Sequence, residues 1–101
     1  RIGHCLQQFN QQYAHRILGR RSVVLILSDG YDTGNAELVS AEMARLRRKG
    51  CKIIWLNPLL GWKDYEPVAA SMAAALPHLD RFAPCNTLES LAALEWELER
   101  L

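Results

Sequence analysis

The 101-residue chain has no stretch approaching the roughly 18 to 20 uncharged apolar residues that a membrane-spanning helix needs, and its start shows no basic segment leading into an apolar signal region. Neither membrane insertion nor a signal peptide is expected. Charge of one sign is also lacking: twelve Lys and Arg against eleven Asp and Glu leave +1, so the phosphate-binding stripe of a nucleic-acid binder is not expected. Cysteine is sparse. Cys5, Cys51 and Cys85 are odd in number, stand tens of residues apart and form no C-x-x-C pair, which excludes a disulfide framework or a zinc knuckle. They are expected to be small buried or half-buried thiols in a reducing cytoplasm. There is no G-x-G-x-x-G, no P-loop and no G-x-S-x-G elbow, so nucleotide binding and serine hydrolysis lack their usual frames. Repeats, low-complexity tracts and linkers are absent.

What the chain does have is apolar residues at half of its positions, enough for one compact domain or part of one. Ile2, Cys5, Leu6, Phe9, Tyr13 and Ile17 recur at steps of three and four, which predicts a helix from about Ile2 to Leu18, ended by Gly19. Five of the nine Ile and Val residues fall in two short runs, Val23 to Leu27 and Ile53 to Leu56. Runs that are apolar at every position suit interior strands of a parallel sheet, covered on both faces. Between them Asn35 is placed to cap a helix of Ala36 to Lys49, with Val39, Met43 and Leu46 inward and Gly50 closing it. Tyr65 to Leu76 reads as a short Ala-rich helix with Pro67 in its first turn and Pro77 as its stop. Arg81 to Pro84 is a short third strand. Asn86 and Glu89 have capping-box spacing ahead of a last helix with the stripe Leu88, Leu91, Leu94, Leu98 and Leu101.

The order α-β-α-β-α-β-α predicts a Rossmann-like three-layer α/β/α fold, a parallel sheet of about three strands with four helices. Three strands are few for two such apolar runs. Val23 to Leu27 carries no edge-blocking charge or Pro and expects a neighbour on each side.

In open α/β sheets ligands bind beyond the carboxyl ends of the strands. Three segments qualify: Ser28-Asp29-Gly30, Asn57-Pro58 and Pro84-Cys85-Asn86. Asp29 directly follows an apolar strand and precedes Gly30, where backbone can turn sharply. It reads as a turn and helix-cap residue, or as a carboxylate that holds a hard cation such as Mg²⁺. Asp32, three residues on, pairs with it only in an acid/base reading that matches no D-x-D nucleophile loop. His4, His15 and His78 are scattered. The cluster Arg45, Arg47, Arg48 and Lys49 sits in the last turn of a helix, where cations complement the dipole; an acidic protein partner is the other reading. Trp55 belongs to the core. Asn57 and Trp62, in the loop after the second strand, are the candidate partner contacts.

The segment VVLILSDGYDTG resembles the fourth strand and third metal loop of a von Willebrand factor type A (VWA) domain. With the opening RIG…L..FN, AEMARLRRKG, IIWLNPLLGW, YEP, MAAALP and the closing N-LESL, the chain resembles the CoxE-like branch of that family over nearly its whole length. The resemblance implies a metal-ion-dependent adhesion site in which Asp29 is a metal residue, with Ser28 and Gly30 shaping its turn. The D-x-S-x-S motif and the second-loop Thr of family members do not occur in residues 1–101, and Arg1 opens directly into a helical pattern. Residues 1–101 are therefore expected to be the C-terminal half of such a domain, with Mg²⁺ bound by the intact domain and not stably by this piece.

By the same resemblance the function is a non-enzymatic protein-interaction module. It would assist maturation of molybdenum-containing carbon monoxide dehydrogenase-type enzymes together with a MoxR-type AAA+ ATPase. The competing expectation is a small α/β hydrolase or phosphotransfer protein using Asp29 and Asp32. Self-association is expected through the open edge of Val23 to Leu27.

Overall fold

The computed structural model describes residues 2–31, 35–66 and 69–100. Arg1, Asp32, Gly34, Pro67 and Leu101, all used in the sequence reading, lie outside the described residues. The first helix begins as α1, Ile2–Phe9, passes through a π-helical segment, Asn10–Ala14, and ends as α2, His15–Ile17. That wide turn corrects the single expected stripe. A π turn carries more residues than an α turn, so the inward phase moves along the chain. Leu6 and Ala14 are buried, whereas Cys5, Tyr13 and Ile17 are exposed. Asn10 is brought against Glu42, a position the apolar pattern does not announce.

Strands β1 (Val23–Leu27), β2 (Lys52–Asn57) and β3 (Arg81–Pro84) form a parallel sheet in the order β1-β2-β3. Between β1 and β2 runs α3, Ala36–Arg48. The Asn35 side chain caps it by accepting from the backbone N–H groups of Glu37 and Leu38, and Gly50, at φ +83°, closes it in the left-handed region. Helix α4 is shorter than the spacing predicts, Ala70–Ala75, because Ala69 still has an extended backbone. Pro77 does not end that helix: it sits early in the 3₁₀ turn Leu76–His78 that follows. Helix α5 spans Leu88–Leu98. Its N-cap is Thr87, not Asn86: the Thr87 hydroxyl accepts from the Ser90 N–H and the Ser90 hydroxyl from the Thr87 N–H, each at 3.0 Å.

The layers are unequal. One face of the sheet packs Ile26, Ile53 and Trp55 against Leu6 of α1, Val39, Met43 and Leu46 of α3, and Met72 and Ala75 of α4. The other face packs Ile54, Leu56 and Ala83 against Leu94 of α5 alone. Residues paired in register point to the same side of a sheet, so Leu25 and Leu27 share that second face with Ile54 and Leu56. Helix α5 does not reach them. Val23, Leu25 and Leu27 are 43%, 52% and 69% exposed, which corrects the expectation of an interior strand covered on both sides. The Leu stripe of α5 is likewise only partly used, since Leu88, Leu91 and Leu98 face solvent while Leu94 is buried. Trp96 is exposed too, with the Arg100 guanidinium 3.5 Å from its ring centre.

The entry to β3 is fixed by one carboxylate. Asp80 Oδ2 accepts from the Ile53 N–H and from the Arg47 guanidinium, both at 2.7 Å, while the Asp80 N–H donates to the Ile53 carbonyl at 2.8 Å. Partial burial by itself would raise the Asp80 pKa. The Ile53 N–H and the Arg47 charge outweigh it and hold the carboxyl below its usual range. Burial pushes the Cys51 thiol up, so it packs as a neutral side chain.

A group with a depressed folded pKa stabilises above its unfolded value, and that contribution is lost as pH falls through the folded one. Asp80→Asn is therefore expected to destabilise by about 1–3 kcal/mol at neutral pH, measured by urea unfolding. The difference from the unsubstituted chain should shrink below about pH 4, the unfolded Asp range. A gap that stayed constant down to about pH 2 would contradict this reading of the carboxylate.

Candidate functional site

The backbone turns immediately after β1, at the carboxyl end of the sheet. Ser28 continues the ladder by donating its N–H to the Leu56 carbonyl at 3.1 Å. Its hydroxyl then accepts from the Gly30 N–H at 3.0 Å, while Asp29 Oδ1 accepts from the Tyr31 N–H at 2.8 Å. These two local bonds fold the chain back on itself. Gly30 is at φ +69°, and a Cβ built there would lie 2.8 Å from both Cβ and Sδ of Met72. Only glycine combines that dihedral with so close an approach to α4.

Side chains from β2 and the following loop hold the turn from beneath. Trp55, fully buried, donates its indole N–H to the Ser28 carbonyl at 2.7 Å. The Asn57 amide donates to the Tyr65 hydroxyl oxygen at 2.7 Å and more weakly to the Asp29 carbonyl at 3.4 Å. Its Oδ1 accepts from the Leu59 N–H at 2.8 Å, which starts the loop after β2. Tyr65 also reaches the Asp29 carbonyl at 3.4 Å.

Asn57 is 0% exposed, so it is corrected from a partner contact to a buried organiser of the end of the sheet. Trp62 is 61% exposed on the loop that Asn57 starts. Beyond the carboxyl ends of β2 and β3, an open cleft of about 380 Å³ is lined by Leu60, Gly61, Pro84, Asn86, the cap residue Thr87 and the first turn of α5.

Asp29, Ser28 and Gly30 are thus brought together as one turn, joined by Tyr65 and Met72. Those two carry no local signal: they lie far along the chain and meet the turn only through the fold. A polar Asn at the carboxyl end of an apolar strand was the one available clue. Among the described residues Asp29 Oδ2 accepts no hydrogen bond, and no three His, Cys, Asp or Glu side chains gather as a metal site. A hard cation such as Mg²⁺ needs roughly six oxygen ligands. Among the described residues a single carboxylate stands at the turn, fewer acidic ligands than such a site gathers.

A family model described as VWA domain containing CoxE-like protein matches residues 1–91. This chain belongs to that family. Comparisons with curated proteins and with solved structures return no match. The three parallel strands with helices on both faces agree with a fragment of the VWA architecture, and the Asp29 turn lies at the carboxyl end of the strands, where open α/β sheets bind ligands.

Gly30→Ala is expected to cost at least about 1–3 kcal/mol, the scale of a strained backbone position, with Met72 forced to shift. Thermal unfolding checks it. A variant as stable as the unsubstituted chain would show that the close approach to α4 is not required.

Proposed function

We propose that this chain is a non-enzymatic protein-interaction part of a CoxE-like accessory protein, contacting its partner through the carboxyl end of the sheet. The observation that carries the reading is the Asp29 turn. It is clamped by Trp55, Asn57 and Tyr65 yet, among the described residues, leaves one Asp29 carboxylate oxygen without a donor, beside a loop that presents Trp62 to solvent. Rigid scaffolds with a polar point contact and an exposed aromatic are what partner recognition uses. In the intact protein, metal-dependent adhesion would need further oxygen ligands besides Asp29 for its Mg²⁺.

Family membership supports the accessory role. The finer proposal is assistance in maturing molybdenum-containing carbon monoxide dehydrogenase-type enzymes with a MoxR-type AAA+ ATPase, in the cytoplasm. Three free thiols suit that reducing compartment. Capture of a MoxR-type ATPase by the intact protein is expected to fall about tenfold or more in the Asp29→Ala variant. Equal capture would refute the role of this turn.

The open edge of β1 supports a second partner proposal, self-association of the 101-residue chain. Among the described residues, the outer edge of β1 has no strand beside it. Two copies pairing antiparallel about Leu25 would set Val23 opposite Leu27 and Arg21 opposite Asp29, so apolar meets apolar and cation meets anion. Light scattering should report a dimer that Leu25→Lys converts to monomer. A monomeric unsubstituted chain at high concentration would count against it.

A further inference from the structure

The far end of the molecule from the Asp29 turn holds a second feature. Helix α3 starts near that turn and ends before β2, so its last two turns lie toward the amino ends of the strands. There α3 faces the junction of α1 and the π-helical segment across a cleft of about 350 Å³, at the lower end of ligand-pocket sizes. One wall carries Gln7, Asn10 and Gln11; the other carries Glu42, Arg45, Arg48 and Lys49.

The charges do not cancel. Glu42 is only 4% exposed, and its carboxylate is already engaged by the Asn10 amide at 2.9 Å and by Arg45 Nε at 3.5 Å. Arg48 and Lys49 are exposed, and among the described residues neither has an ion-pair partner. Arg47, by contrast, turns away to Asp80. The dipole of α3 accounts for cations in its last turn, but not for their gathering with amide side chains of another helix around one cleft.

The Asn10 amide supplies a second constraint. Its Nδ2 donates to both the Glu42 carbonyl, at 3.0 Å, and the Glu42 carboxylate, which fixes its orientation and leaves Oδ1 buried without a donor. A π-helical segment, the geometry often found at functional sites, places that residue. The cleft therefore offers an occupant two unpaired cations, Arg48 and Lys49, and the donor and acceptor groups of the Gln7 and Gln11 amides, which carboxylates on a peptide backbone can meet together. We infer that this cleft docks an acidic peptide segment of a protein partner, its carboxylates on Arg48 and Lys49 and its backbone amides against the side-chain amides of Gln7 and Gln11. This contact is separate from the Asp29 turn and does not rest on the metal-linked reading.

Fluorescence anisotropy with a labelled hexaglutamate peptide and the 101-residue chain tests it, with hexaglutamine and inorganic phosphate as comparison ligands. Hexaglutamate should bind, and its affinity should fall at least about tenfold in Arg48→Glu/Lys49→Glu. Raising salt from about 50 to about 300 mM should weaken it as well. Lys63→Glu/Arg100→Glu, an equal charge change at exposed positions outside the cleft, should leave binding within about twofold. Both altered residues are exposed, so unchanged melting should accompany the loss; the milder Arg48→Gln/Lys49→Gln should lose less. The proposal is overturned if hexaglutamate does not bind at low salt, if both charge reversals weaken it equally, or if phosphate competes at the same concentration of charge.

Discussion

The hydrogen bonds that β2 sends to its neighbours organise this molecule. Its backbone pairs with β1 on one side and β3 on the other, and two of its side chains, Trp55 and Asn57, extend that hold to the turn after β1. Both are fully buried, where an unpaired polar group is costly, so their bonds are obligatory for packing as well as for the turn. Core and site are in this sense one structure.

The same economy explains the lopsided layers. Three helices share one face, and their contacts run from Leu6 through Met43 and Met72 to Trp55. The other face has α5 over β2 and β3 and leaves the β1 side chains open. Among the described residues β1 thus presents an apolar edge and face that no other element covers, the kind of surface that association buries. The polar cleft between α1 and α3 lies at the amino end, so contacts of different chemistry occupy different ends of the molecule.

Much of this was legible in the residue order. The β-branched runs announced β1 and β2, Asn35 announced the cap of α3, and the strand-Asp-Gly sequence announced the turn at Asp29, because each signal is local. What depends on distant partners was not. The π-helical segment brings Asn10 to Glu42, and it shifts the buried phase to Ala14 in a way the spacing of Tyr13 and Ile17 does not announce. Apolar composition cannot say whether a strand has a neighbour, so β1 read as interior. Asn57 read as exposed because it adjoins a loop; its amide turns inward because the Asp29 carbonyl and Tyr65 lie there. Thr87 displaced Asn86 as the cap because Ser90 returns the second bond of the box.

The central claim is that the buried amide of Asn57 keeps the Asp29 turn in its binding geometry. The most direct test is amide hydrogen exchange of Gly30 and Tyr31, read together with capture of a MoxR-type ATPase, in an Asn57→Ala variant whose β2 amides remain protected. The account predicts faster exchange confined to the turn and capture lost along with it, although Asn57 never meets the partner. A turn that exchanges freely while capture is unchanged would contradict it.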